Sequence, residues 1–211
     1  MFKKDHLQSN RARNWFEVEW MMYNLKFKKE FSNNTNFSFS FFGLEAKRNS
    51  LGFRTNRVSQ VDSGEERDLI KGDFSNFGIE SRLLTNYSLL NKKSLFLVGM
   101  KYYNSNSSSV QGPGSNGLDA NFTFQNSLYP NYNSQSNYNY PNENIAIFAE
   151  NIIYLNDKIS LTPGLRYENI ITKSKGFYKK INLDGAGNVI YNEKFEENDK
   201  KRRNFLLVGL G

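Results

Sequence analysis

Short turns and long polar connections alternate between the apolar-rich runs of this chain, and few folds accommodate that rhythm. The clearest unit is Glu143 to Asn169, ENIAIFAENIIYLNDKISLTPGLRYEN. It is two runs of strand length joined at Asn156-Asp157, the pattern of a β-hairpin with a two-residue turn. In its second arm Ser160, Thr162, Gly164, Arg166 and Glu168 are polar or small, while Ile159, Leu161, Pro163, Leu165 and Tyr167 are apolar. Because successive side chains of a strand point to opposite faces, such an arm has one wet face and one oily face.

Similar arms recur along the chain. Arg13 to Lys28 sets Phe16, Val18, Trp20 and Met22 against Glu17 and Glu19; after a bend at Ser32 to Asn36, Phe37, Phe39 and Phe41 alternate with Ser38 and Ser40. A polar connection from Lys47 to Lys71 leads to an arm from Gly72 to Leu90, with Phe77, Ile79, Leu83 and Tyr87 opposed to Glu80, Arg82 and Asn86. The brief turn Asn91-Lys92-Lys93 gives way to Ser94 to Tyr103, then to a connection from Asn104 to Asn142 rich in Ser, Asn, Gly and Tyr. Beyond the hairpin, polar Lys173 to Arg203 precedes a last arm, Asn204 to Gly211. Connections therefore run short, long, short, long, short, long. Unstructured connections longer than about 12 to 15 residues are uncommon in compact soluble domains. In outer-membrane barrels the alternation is the rule, with short periplasmic turns and long extracellular loops. A tilted membrane strand needs roughly 9 to 11 residues, which the arms supply.

Composition fits that fold. Of 211 residues 15% are aromatic, with 12 Tyr and 18 Phe, yet the mean hydropathy is -0.67. No run approaches the roughly 18 apolar residues of a transmembrane helix, and MFKKDHLQSNRARN has no apolar segment after its basic residues, so no signal peptide is expected. Cysteine is absent, which removes disulfides and thiolate metal sites. The net charge of +7 is spread along the chain and belongs to no nucleic-acid-binding motif, so nucleic acid is not an expected partner.

Parity assigns the faces. A Lys or Arg facing lipid near midplane costs on the order of 2 to 4 kcal/mol, so the charged parity should look into a lumen. Glu17, Glu19, Glu80, Arg82, Arg166 and Glu168 are expected inward; Phe16, Val18, Trp20, Phe39, Phe41, Ile79, Leu83, Leu161 and Leu165 outward. Tyr87, Tyr103 and Tyr167 suit an aromatic girdle. Two arms leave the assignment open: Ser94 to Tyr103 is apolar on both parities until Lys101, and in Ile145 to Tyr154 Phe148 shares parity with Glu150 while Asn151 falls on the oily side.

The stretches LGFRTNRVSQ (Leu51 to Gln60), GDFSNFGIESRLL (Gly72 to Leu84), QGPGSNGLDANF (Gln111 to Phe122) and FAENIIYLNDKISLTPGLRYE (Phe148 to Glu168) resemble TonB-dependent outer-membrane receptors. They look most like the iron(III)-dicitrate transport branch of Bacteroidetes-type bacteria. The resemblance covers nearly the whole chain, and the Pro-Gly-x-Arg-x-Glu arrangement at Pro163 to Glu168 is its most specific mark. It implies a barrel of about 22 strands around an N-terminal plug that carries a TonB box. Against that pattern, residues 1–211 are expected to be a fragment of the barrel domain: all-β, a partial transmembrane antiparallel barrel of about seven up-and-down strands with long extracellular loops. Plug, TonB box and signal peptide are expected to be absent from it. Seven strands have two open edges, so the piece is not expected to be stable alone.

No catalytic constellation appears. The one histidine is His6, and no Gly-x-Ser-x-Gly elbow or phosphate loop is present; Gln111 to Gly117 is glycine-rich but has no nucleotide-binding lysine. The chain is not expected to be an enzyme or to hold a cofactor or metal. What the resemblance implies is uptake of a ferric chelate at the cell outer membrane, with the TonB complex as partner through the missing plug. Iron already coordinated by citrate presents an anion, and paired guanidinium donors suit carboxylates. Arg48, Arg54 and Arg57, placed in the first long loop beside Leu51 and Phe53, are the candidate substrate contacts, with Gln111 of the next loop as a neutral donor. The same arginines could instead solvate the surface or bind lipopolysaccharide phosphates. Lys200 to Arg203 would sit at the membrane rim or neutralise the acidic residues before it, and Arg166 with Glu168 would pair in the lumen or meet the plug. Another cargo, such as a different siderophore or a cobalamin-like cofactor, and a passive porin or adhesin remain open.

Overall fold

When neighbouring arms of alternating character hydrogen-bond in register, their side chains sort onto two faces of one sheet. The computed structural model describes residues 11–55, 59–89 and 91–211. Among them run seven long strands: β1 (Trp15–Ser32), β2 (Thr35–Gly52), β3 (Asp68–Leu89), β4 (Lys92–Pro113), β5 (Gln135–Tyr154), β7 (Pro163–Leu183) and β8 (Val189–Leu210). A two-residue strand, β6 (Ser160–Leu161), pairs with the end of β5. The spatial order is β1-β2-β3-β4-β5-β7-β8, each strand antiparallel to the next. This is an open arc of an up-and-down barrel, as the arms and turns predict, and among the described residues there is no helix.

The strands are longer than expected, at 18 to 22 residues. Strand therefore replaces much of what the sequence presents as loop: the first long connection shrinks to residues 53–67 and the second to 114–134. The third, Lys173 to Arg203, is a hairpin in register from Lys173↔Lys200 to Asn182↔Tyr191, with a shift of register before the last pair, Leu183↔Val189. Beyond a bilayer both faces of a strand meet water, so its ladder forms without any period-two hydrophobicity to announce it. The sequence does carry one mark of that hairpin, Asp184-Gly-Ala-Gly-Asn188. Its Asp184 carboxylate accepts from the amides of Ala186 and Asn188 and from Asn188 Nδ2. Gly187, at φ 84°, takes the left-handed conformation that glycine adopts without strain. The central hairpin also closes differently. Its turn spans Leu155 to Ile159, where Leu155 N donates to Ile159 O at 3.0 Å, rather than two residues.

The register separates the faces. One row across the sheet reads Phe27, Phe39, Ser81, Met100, Ile147, Tyr167, Leu206; the adjacent row on the opposite face reads Lys26, Ser40, Glu80, Lys101, Ala146, Glu168, Phe205. The apolar rows form a belt that lipid can face, and the charged rows look the other way. Glu80, Arg82, Arg166 and Glu168 lie on the charged face, as expected.

On β1 the expectation fails. Glu17 pairs with Asn49 and Glu19 with Lys47, on the parity of Phe39 and Phe41, whereas Phe16, Val18 and Trp20 share the charged face. These residues lie towards the loop end, beyond the belt, where a carboxylate on the outer face is hydrated at no penalty. Tyr103 also belongs to the charged face, stacked on Phe42 at 6.5 Å, so it is not part of a girdle. Tyr87 does face outward, and its hydroxyl donates to Asn151 Oδ1 at 2.9 Å, which gives the side-chain oxygen of that outward-facing asparagine a partner.

A single curved layer buries little. Leu51 and Leu69 are fully enclosed, and both lie where the long loops fold over the strand ends. On the charged face aromatic rings cover glycines: Phe148 lies over Gly99 and Phe42 over Gly78. Arg82 and Arg166 both approach the Phe148 ring, at 5.8 and 5.3 Å from its centroid, and each pairs with a glutamate two residues away, Glu80 and Glu168, at 2.5 Å. Arg166 and Glu168 thus pair with each other, as the sequence suggests.

Candidate functional site

Both long loops emerge at the same end of the sheet, and two arginines tie them to the start of β1. Arg67 is fully buried. Its guanidinium donates to the carbonyls of Ser115 (2.9 Å), Arg13 (3.0 Å) and Asp119 (2.8 Å) and to Ser115 Oγ (2.6 Å). Burial lowers its pKa, opposed by the nearby Asp119 carboxylate; a guanidinium stays charged regardless. Arg13 forks onto both oxygens of Asp62 and reaches the carbonyls of Glu65 and Asn116, each at 2.8 Å. The hydrogen bond from Arg13 holds the Asp62 carboxyl below its ordinary pKa. Trp15 Nε1 adds a bond to Leu118 O at 2.8 Å.

Beside this lock, on the charged face, stands Asp68, whose side chain is 4% exposed. It accepts from Gln111 Nε2 at 3.0 and 2.9 Å, from Tyr132 Oη at 2.9 Å and from Arg54 at 3.2 Å. Burial, with Asp68 close by, pushes the Tyr132 hydroxyl pKa up, so it remains a donor. Gln135 fixes the loop that presents Tyr132 by donating to Tyr132 O at 2.8 Å and Pro130 O at 3.1 Å. A cavity of about 240 Å3 opens next to the Arg54–Asp68 pair, lined by Trp15, Phe16, Leu51, Phe53 and Ile70.

Two of the four predicted contact residues therefore meet. Arg54 and Gln111 converge on one carboxylate, and the Arg54 side chain remains 68% exposed. Two placements need correcting. Arg48 is not in a loop but within β2, paired with Val18 and Gly72, its guanidinium 5.5 Å from the centroid of the Phe74 ring. Gln111 likewise belongs to β4, because the ladder with β3 continues to Pro113. Arg57 lies outside the described residues. Asp68, Tyr132, Arg67 and Arg13 escape sequence reasoning, since nothing in local composition separates Asp68 from Asp62 or Asp73. Their partners lie tens of residues away. Among the described residues no three His, Cys, Asp or Glu stand together as a metal site.

A family model described as "TonB dependent receptor-like, beta-barrel" matches residues 4–196. The chain belongs to the TonB-dependent receptor β-barrel family. Proteins of this family are transport receptors of the outer membrane. The crystal structure of the ferric citrate transporter FecA in its unliganded form is similar, with a TM-score of 0.66 at 15% identity. That similarity covers 99% of this chain and 27% of FecA, so the chain spans about a quarter of that receptor's length. At such identity it is the barrel fold that is shared. Among curated proteins no sequence matches significantly.

Proposed function

We propose that these strands form part of the barrel of an outer-membrane receptor that takes up a ferric chelate, iron citrate or a siderophore, with energy coupled through TonB by a plug domain supplied elsewhere in the receptor. The observation that carries the reading is the convergence of Arg54 and Gln111 beside an aromatic-lined cavity at the loop end of the charged face. Arg48 extends the same face towards the belt, and Arg57 completes the proposed set of substrate contacts. An incoming carboxylate would compete with Asp68 for the exposed Arg54 guanidinium, which offers paired donors to such a group. The shared fold with a ferric citrate transporter points the same way.

The test is uptake of radiolabelled iron by cells in which this receptor is the only candidate importer. Ferric citrate should be taken up, TonB deletion should abolish uptake, and replacing Arg48, Arg54 and Arg57 together should reduce it. Uptake of other ferric chelates but not of citrate would reassign the cargo, and TonB-independent uptake would overturn the energised reading.

A second reading has one observation in its favour. Asp68 already engages Arg54 and Gln111, which suits a neutral or cationic cargo better than an anion.

A further inference from the structure

The basic run Lys200 to Arg203 is split by the ladder. Lys201 pairs with Thr172 on the charged inner face, with Arg203 beside it on the same parity, while Lys200 pairs with Lys173 and Arg202 with Ile171 on the outer face. Lys175 lies on that outer parity too, opposite Asn198. Close above the belt the outer wall of β7 and β8 thus carries four exposed cations, Lys173, Lys175, Lys200 and Arg202, with Lys179 and Lys194 further out on the same parity. Like charges directly opposed across strands are destabilising, as at Lys173↔Lys200. Among the described residues none of the four forms an ion pair. Their same-face neighbours Asn139, Pro141, Ile171, Asn198 and Asn204 bear no negative charge. Two acids share this face, Glu143 opposite Ile171 and Glu196 opposite Phe177; Glu143 accepts from the Tyr102 hydroxyl and Glu196 pairs with Lys194, and neither forms an ion pair with any of the four.

The height of this patch is informative. Tyr167 and Leu206 end the apolar belt on these strands, and Tyr167 Oη donates to Asn204 Oδ1 at 3.2 Å just above it, as a ring at a membrane interface does. With about 3.4 Å per residue and a tilt near 40°, Arg202 stands roughly 5 Å and the Lys173–Lys200 pair roughly 10 Å above Asn204. That is the depth of lipid headgroups. On the other strands the same rows mix signs or are neutral: Lys47 stands between Glu19 and Asp73, and Glu45 faces Ser75, which faces Asn106.

We propose that Lys173, Lys200 and Arg202, supported by Lys175, form a binding site on the outer wall for the phosphate groups of an outer-leaflet lipid. The site rests on the belt crossing a membrane and is independent of the cargo. A phosphate between Lys173 and Lys200 removes their repulsion and anchors this side of the wall at a fixed depth.

The test uses the full-length receptor in detergent, with labelled bisphosphorylated lipid A as probe and its dephosphorylated form for comparison. The native receptor should bind the phosphorylated probe about a hundredfold more tightly, the size that three cations near a lipid surface confer. K173Q/K200Q/R202Q should lose that preference, whereas the inner-face variant K201Q/R203Q should keep it. Equal loss in both variants, no preference in the native receptor, or displacement of lipid A by millimolar inorganic phosphate would overturn the site. Retained heat-modifiable mobility on gels verifies that each variant is folded. A receptor that does not insert into vesicles would remove the membrane reading and this site together, while one that inserts without the preference would remove the site alone.

Discussion

Gln111 Nε2 donates to both carboxylate oxygens of Asp68, at 3.0 and 2.9 Å, across the pairing of β3 with β4. The carboxylate is nearly enclosed and serves as the common acceptor for a glutamine, a tyrosine and an arginine drawn from three segments far apart in sequence. Asp68→Ala should leave these three donors unsatisfied, at a cost of about 2 kcal/mol to the local structure. The expected result is faster proteolysis within 114–134, with the belt strands unaffected in hydrogen exchange. Asp68→Asn, which keeps an acceptor, should fall between. If the loop is cleaved no faster in Asp68→Ala, the carboxylate does not organise this site.

The Arg13–Asp62 pair makes the first long loop sensitive to acid. The folded-state pKa of Asp62 lies below its ordinary value of 3.8, chiefly because Arg13 donates to it. The contribution is therefore complete above that value and is lost as pH falls through the lower, folded one. Proteolysis at residues 59–66 by an acid-active protease should rise steeply below about pH 4. Asp62→Asn should show the fast rate already at about pH 5, above the ordinary carboxylate range, and little further change on acidification.

Two glycines on neighbouring strands should respond oppositely to alanine. A methyl group at Gly176 would stand 2.0 Å from Asn137 O and 2.7 Å from Tyr138 Cα, both backbone atoms, whereas one at Gly209 meets nothing within 4 Å. Gly176→Ala should force the β5–β7 ladder apart at a cost of about 1 to 3 kcal/mol. Gly209→Ala should be neutral. The midpoint of heat-induced unfolding, followed by gel mobility in detergent, separates the two.

The assignment of the belt is tested by one cation on each face at the same level. Ile147→Lys places an ammonium among Met100 and Tyr167 on the oily face and should lower the yield of membrane-inserted receptor, with a cost of about 2 to 4 kcal/mol. Ser40→Lys falls between Lys26 and Glu80 on the charged face and should insert normally. Similar behaviour of the two variants would mean that this face does not meet lipid.

The sequence alone determined the class of fold and the faces of most strands. A period-two pattern is a local property, so Phe37 to Phe41 or Leu161 to Glu168 show which parity is oily without reference to any partner, and the rhythm of turns shows that the strands run up and down. Where both faces of a strand are wet that information disappears. Lys173 to Leu183 and Val189 to Arg203 look like loop, yet they pair residue by residue, because backbone hydrogen bonding needs no apolar face. Only the tertiary structure decided that Glu17 and Glu19 share the outer parity, since that depends on register with β2. It alone brought Asp68 to Gln111 and Arg54, and divided Lys200–Arg203 between two walls. Each of these is a pairing between residues distant in sequence, and cross-strand register is fixed by the whole ladder rather than by the residues that it brings together.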